Sequence, residues 1–131
     1  MIPQLFLFSA IWSIGCTTNL VGREKFDKWF RSVIPKLGIT DFPAEKLVHD
    51  YQWDVATKKW MPWLETIKEY QVDIKQSFNE ILVPTQDSVR SKYLVKLLLM
   101  GGKNVMCPGP TGTGKSVNTA EMLVYELSEE Y

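Results

Sequence analysis

Eight residues near the end of the sequence have the types and spacing of a phosphate-binding loop. They are Gly109-Pro110-Thr111-Gly112-Thr113-Gly114-Lys115-Ser116, which match G-x-x-x-x-G-K-[ST] at every fixed position. The apolar stretch 103–107 before them predicts a short buried strand, and residues 114–131 after them predict a helix. A chance match in a glycine-rich turn would not explain this flanking strand and helix. The pattern therefore indicates a Walker A phosphate loop.

Each residue type in this loop has a physical reason. Gly109, Gly112 and Gly114 permit backbone dihedrals and close approaches that a Cβ atom would obstruct. The backbone N–H groups can then surround an anion, and the following helix adds its free N-terminal donors and the positive end of its dipole. Lys115 supplies a charge for the β- and γ-phosphates, and the Ser116 hydroxyl is placed to ligate Mg²⁺. We expect a phosphate group with Mg²⁺ at residues 109–116.

Hydrolysis requires groups that the sequence does not offer after the loop. A second acidic metal ligand and a residue that orients water are needed. The letters "MLVYE" at 122–126 fit an acidic residue after an apolar strand, but they fall inside the predicted helix. We therefore predict no catalytic residue in this chain. Residues 81–131 lack the further strands of a parallel sheet, so we expect a piece of a longer protein, inactive alone.

The elements before the loop are predicted from hydrophobic spacing. Residues 4–14 are apolar on nearly every side, which predicts a helix covered all round. Residues 23–34 predict an amphipathic helix that Pro35 ends, with an apolar stripe at Phe26, Trp29, Phe30, Val33 and Ile34. Residues 51–63 alternate around "ATKK" and predict an aromatic β-hairpin. The stretch 64–83 is interpreted as a connector.

A second unit begins near residue 81. The stretch "ILVPT" is predicted to be extended before Pro84, and Thr85 or Asp87 is predicted to cap a helix over 87–100. Gly101 and Gly102 end that helix. The predicted fold class is therefore α/β: mostly helical, with a short β-hairpin and one P-loop strand.

Composition excludes several function classes. The 131 residues include 15 basic and 15 acidic side chains, so no electrostatic argument favours nucleic acid or an acidic membrane as partner. Cys16, Cys107 and His49 have no zinc-ligand spacing, and the cysteine use fits a reducing compartment. His49 is expected at the surface or in a cap. The apolar start, about 14 residues long, is too short for a membrane-spanning helix.

Four stretches, in this order, resemble a segment of dynein heavy chains, the motors with a ring of six AAA+ modules. They are "FLFSAIWSIG", "REKFDKWFR", "WDVATKKWMPW" and "ILVPTQDSVRSKYLVKLLLMGGKNVMCPGPTGTGKS". The resemblance covers nearly the whole chain and is closer to ciliary than to cytoplasmic heavy chains. It implies that residues 1–75 are the lid and connector of the second module. Residues 76–131 would then be the start of the third module, with its Walker A loop.

The resemblance also implies function. The chain would be a fragment of a microtubule motor, binding ATP or ADP at 109–116, with Val83 and Pro84 near the adenine. The rest of the ring would be its partner, and intermediate chains, light chains and microtubules would be reached only through the parent motor, in the cytoplasm and the ciliary axoneme. The Walker B acid, sensors and arginine finger of the family have no counterpart here, and Pro108 departs from its usual apolar residue with an N–H group.

Three alternatives stay open from the sequence. The chain could be part of a motor ATPase, a nucleotide-holding structural or regulatory module without hydrolysis, or an inactive isolated fragment. A small independent kinase or GTPase would need a specificity or metal-binding motif downstream of the loop, and the sequence offers none.

Overall fold

A computed structural model describes residues 1–68, 70, 71, 81–125 and 127. The chain divides into two compact units, Met1–Thr66 and Ile67–Tyr131. The described part is mostly helical and contains one two-stranded antiparallel sheet. This confirms the prediction of a mostly helical chain with a short β-hairpin. Half of the predicted connector at 64–83, and all of the predicted helix end at 126–131 except residue 127, lie outside the described residues.

The first unit contains two α-helices, a hairpin and short 3₁₀ turns. Helix α1 covers Ile2–Ser13 and α2 covers Leu20–Val33. Strands β1 and β2 cover Tyr51–Asp54 and Lys59–Pro62. The 3₁₀ turns are Gly15–Thr17, Ile34–Leu37, Val48–Asp50 and Trp63–Thr66.

The start and end of α2 follow from its sequence. The Asn19 side chain accepts a hydrogen bond from the Gly22 N–H at 2.9 Å, which satisfies one donor of the first turn. Helix α2 ends at Val33, two residues before Pro35, and the Ile34 N–H still donates to the Phe30 carbonyl oxygen. The predicted stop is confirmed, because a proline within the helix would have no N–H to donate.

Helix α1 is covered on one face only. Leu7, Phe8 and Ile11 are buried, whereas Ile2 is 80% and Phe6 is 59% exposed. The Phe8 ring lies 6.3 Å from the Trp63 ring, within the aromatic core of this unit. The prediction that α1 is covered all round is therefore wrong for the described residues, because the hairpin and the 3₁₀ turns reach only one side of it.

The hairpin forms with the predicted alternation. Its register pairs Tyr51 with Pro62 and Trp53 with Trp60, and the two indole rings lie 5.2 Å apart. In the turn, the Asp54 carboxylate accepts hydrogen bonds from the Thr57 hydroxyl and from the N–H groups of residues 56 and 57. The bond from the Thr57 hydroxyl is the main cause that holds the pKa of Asp54 below its usual value.

His49 is a core residue, so the expectation of a surface position is wrong. Its side chain is fully buried, and Nε2 lies 3.0 Å from the Gly15 carbonyl oxygen. The Trp63 indole N–H donates to the His49 carbonyl oxygen at 2.8 Å. The imidazole ring also packs edge-on against Trp12 at 5.7 Å and, in a tilted arrangement, against Phe26 at 5.4 Å. Tertiary contacts that are distant in sequence create this environment, so local sequence could not reveal it.

The second unit contains helix α3, Gln86–Met100, and helix α4, Lys115–Tyr125. Thr85 caps α3 as predicted: its hydroxyl accepts from the Ser88 N–H at 3.2 Å, and the Ser88 hydroxyl accepts from the Thr85 N–H at 2.9 Å. After α3, Gly102 takes a positive φ of 67°, which favours glycine. The predicted end of this helix is confirmed.

The predicted P-loop strand at 103–107 is absent from the structure. These residues have no strand pairing, and Met106 is 85% exposed. A parallel strand is stabilised by neighbours on its edges. The described part of this unit contains no strand that could pair with residues 103–107. Their apolar sequence alone therefore does not make them a strand.

In the described ranges, no helix is long and apolar enough to cross a membrane. Cys16 and Cys107 are both exposed free thiols.

Candidate phosphate-binding site

Two glycines with positive φ shape the loop between residue 108 and α4. Gly112 and Gly114 have φ values of 81° and 72°, in the left-handed region that side chains with a Cβ rarely adopt. Helix α4 then starts at Lys115, and its first backbone hydrogen bond runs from the Asn118 N–H to the Gly114 carbonyl oxygen at 2.9 Å. The N–H groups of residues 115–117 precede that bond, so they have no carbonyl partner within the helix.

The Lys115 side chain folds back over the loop. Its ammonium group donates to the Thr113 hydroxyl oxygen at 2.8 Å and to the Pro110 carbonyl oxygen. The Thr113 hydroxyl in turn donates to the same carbonyl oxygen at 3.0 Å. A Cβ atom on Gly109 would lie 3.4 Å from Lys115 Cδ and 3.5 Å from Nζ. The loop therefore surrounds a cationic group, and Gly109 leaves space beside it.

Ser116 lies in the exposed first turn of α4, next to Lys115. Its hydroxyl is an oxygen ligand of the kind that Mg²⁺ accepts, with phosphate oxygens and water completing the octahedron. Among the described residues no group of three or more His, Cys, Asp or Glu could hold a metal ion by itself. A Mg²⁺ ion held by Ser116 would therefore need its other ligands from phosphate oxygens and water.

A cavity of about 360 Å³ lies beside the loop, within the second unit. It is bounded by α3, residues 105–108, Thr113 and the face of α4 that carries Lys115. The predicted site residues Thr113 and Lys115 therefore share one cavity, whereas Val83 and Pro84 are not among the residues that line it.

Four polar residues on the cavity wall were not predicted from the sequence. Asn118 and Thr119 lie three and four positions after Lys115 on α4, so helical spacing alone could have placed them on its face. Ser91 and Lys92 lie on α3, and no local pattern indicates that this helix contributes to the site.

An ion pair joins the two helices next to the cavity. Lys92 Nζ on α3 donates to Glu121 Oε2 on α4 at 3.0 Å. The Lys92 side chain is 11% exposed and the Glu121 side chain is 31% exposed. This contact joins the helix that follows the loop to the helix that precedes the loop in sequence.

A glycine turn, a lysine folded over it and a helix N-terminus directly after it define a P-loop type of site. Two family models match the chain and together cover nearly all of it. Residues 1–65 match the dynein heavy chain AAA lid domain, and residues 70–131 match the P-loop containing dynein motor region. The chain belongs to the dynein heavy chain family.

Similar proteins agree with this assignment. Human dynein axonemal heavy chain 1 is 32% identical over 148 aligned residues, which cover 100% of this chain and 4% of that protein. Human dynein axonemal heavy chain 12 is 36% identical, covering 95% of this chain and 4% of that protein. The ciliary dynein beta chain of Heliocidaris crassispina is 33% identical, covering 90% of this chain and 3% of that protein. The chain thus spans a small part of the relatives it matches.

Proposed function

We propose that residues 109–116 bind the phosphates of ATP or ADP. The observation that carries this proposal is the meeting of the Lys115 ammonium group with the N-terminus of α4 and with a turn that two positive-φ glycines shape. A cationic side chain and free backbone donors converge in this place, and both favour an anion. The match of residues 70–131 to a P-loop family model supports the same conclusion.

Each loop residue has a role in this proposal. Lys115 contacts the β- and γ-phosphates, and the Ser116 hydroxyl ligates Mg²⁺. Gly109, Gly112 and Gly114 keep the backbone close to the phosphates. Pro110, Thr111 and Thr113 complete the loop, and Pro110 has no N–H group to contribute.

The adenine is assigned to Val83 and Pro84. These residues lie directly before the capped start of α3. Val83 is 65% exposed, so its side chain is accessible to the flat aromatic ring of an adenine. This assignment follows the resemblance to dynein modules.

The proposed context is the ring of a ciliary dynein motor. Residues 1–75 are assigned to the lid and connector of the second AAA+ module, and residues 76–131 to the start of the third. The names of the relatives, which include axonemal heavy chains and a ciliary chain, support an axonemal parent. In that parent the partners are the rest of the ring and, through the whole motor, intermediate chains, light chains and microtubules.

The experiment combines binding with turnover. The chain is titrated with a fluorescent ATP analogue and Mg²⁺, and phosphate release is then measured. We expect binding without release, because the chain supplies a phosphate loop but no Walker B acid. Lys115→Ala, which removes the loop cation, should weaken this binding, and Lys103→Ala, which removes an exposed lysine outside the loop, is its matched control. Absence of binding by the folded chain would contradict the proposal, and phosphate release by the parent above that of Lys115→Ala would contradict the expected lack of hydrolysis.

A further inference from the structure

The Lys92–Glu121 ion pair lies where it can control the orientation of α4. Lys92 lines the cavity beside the loop, and its ammonium group is 3.0 Å from the Glu121 carboxylate. With 11% of the Lys92 side chain exposed, the pair is partly shielded from water, so its interaction is stronger than that of a surface pair.

The position of Glu121 on α4 couples the ion pair to the orientation of that helix. Glu121 lies six residues after Lys115, about 9 Å along a helix axis. The cavity face of α4 consists of Lys115, Asn118, Thr119 and Met122. Glu121 precedes the fully buried Met122 and lies at the edge of that face. Any rotation of α4 about its axis must therefore move both the ion pair and Lys115.

We propose that the Lys92–Glu121 ion pair positions α4, and through α4 the phosphate loop, for nucleotide binding. This inference rests on the proposed binding function. Lys92 acts here as a positioning residue that fixes the rotation of α4, and so the direction of the N–H groups of residues 115–117.

A direct contact between Lys92 and a phosphate is the competing explanation, because Lys92 and Lys115 line the same cavity. The geometry favours positioning, since the Lys92 ammonium group is already bonded to Glu121. Exchanging the two charges separates the explanations. The exchange keeps the ion pair but places a carboxylate where a direct phosphate contact would require a cation.

The test uses the 131-residue chain with Lys92→Glu, Glu121→Lys and the double variant that carries both. Each single variant places two like charges together, and we expect it to weaken binding of the fluorescent ATP analogue about five- to tenfold. The double variant should recover to within about twofold of the parent, since its pair is restored. Lys96→Glu, the same charge reversal one turn further along α3 and outside the cavity lining, is the matched control.

Amide hydrogen exchange of residues 118–125, the part of α4 whose N–H groups follow its first backbone hydrogen bond, gives a second readout in the chain without added nucleotide. We expect faster exchange in each single variant and restored protection in the double variant. If the parent binds no nucleotide but exchange follows this pattern, the proposed binding function fails and the positioning role stands.

Two results would overturn the positioning role while leaving the phosphate loop intact. In one, the parent binds and both single variants bind as well as Lys96→Glu. In the other, the double variant binds as weakly as Lys92→Glu, which would mean that the Lys92 charge itself contacts the nucleotide.

Discussion

The Lys115 ammonium group uses two of its three N–H donors within its own loop. In the structure it is held by the Thr113 hydroxyl and the Pro110 carbonyl, both within its own loop. A phosphate therefore competes with these two oxygen atoms for the same cation. Where the phosphate displaces them, the net gain on binding is smaller than the contribution of the phosphate hydrogen bonds alone.

Thr113→Val is predicted to tighten nucleotide binding. The substitution removes one of the two loop oxygen acceptors of Lys115 and leaves the backbone N–H group of residue 113 in place. A hydrogen bond contributes about 0.5–1.5 kcal/mol net, so the dissociation constant should fall about two- to tenfold. The measurement is the same titration, and Thr113→Ser, which keeps the hydroxyl, separates this effect from a change in side-chain size. Weaker binding by Thr113→Val would show that the hydroxyl contacts the nucleotide instead.

Lys58→Gly is predicted to stabilise the first unit. Lys58 has a φ of 56° in the hairpin turn, a conformation that strains a residue with a Cβ atom. Relief of this strain, partly offset by the greater freedom of glycine in the unfolded chain, should raise the free energy of unfolding by about 0.5–1 kcal/mol. Urea unfolding followed by tryptophan fluorescence measures it, since all five tryptophans lie within residues 1–66. Lys59→Gly, in β2, should instead lower the free energy of unfolding. If both substitutions changed that free energy equally, the positive φ of Lys58 would not be a source of strain.

At the scale of elements, Arg31 connects α2 to the segment before the hairpin through hydrogen bonds. Arg31 Nε donates to the Asp27 carboxylate at 3.0 Å, and its Nη1 donates to the Pro43 carbonyl oxygen at 2.7 Å. Nη2 donates to the Lys46 carbonyl oxygen, and Asp27 also accepts from the Val48 N–H at 2.8 Å. The planar guanidinium group thus satisfies carbonyl groups that no regular secondary structure pairs.

Arg31→Ala is predicted to destabilise the first unit by about 2–3 kcal/mol. The change removes charge-assisted hydrogen bonds and leaves the half-buried Asp27 carboxylate without its cation. Lys28→Ala, which removes an exposed cation from the same helix, should change stability by less than about 0.5 kcal/mol. Tryptophan-detected urea unfolding compares the two. If Arg31→Ala lowered the free energy of unfolding no more than Lys28→Ala does, the hydrogen bonds of Arg31 would not stabilise the first unit.

An element could be predicted from the sequence where a few neighbouring residues determine it. The stripe of α2, the proline after it, the Thr85 cap and the alternation around "ATKK" each determine an element within a few residues. The burial of His49 and the Lys92–Glu121 contact depend on residues 34 and 29 positions apart, which no local pattern contains. The strand predicted at 103–107 failed for a related reason, since a strand needs a partner that the local sequence does not supply.

At the scale of the whole molecule, several large apolar side chains are exposed in both units. Ile2, Phe6 and Ile14 are 59–80% exposed in the first unit, and Met106 and Tyr125 are 85% and 81% exposed in the second. Surfaces of this kind favour association when they form a continuous patch. We therefore expect the chain to be poorly soluble by itself, which agrees with its proposed place in a larger ring.

The central claim is that residues 109–116 hold a nucleotide through Lys115. The most direct measurement is calorimetric titration of MgATP into the folded chain and into Lys115→Ala. We predict that the parent binds and that the variant loses about 1.5–3 kcal/mol of binding free energy, the contribution of one charge-assisted hydrogen bond. If Lys115→Ala bound MgATP as tightly as the parent, the loop would not be the phosphate site.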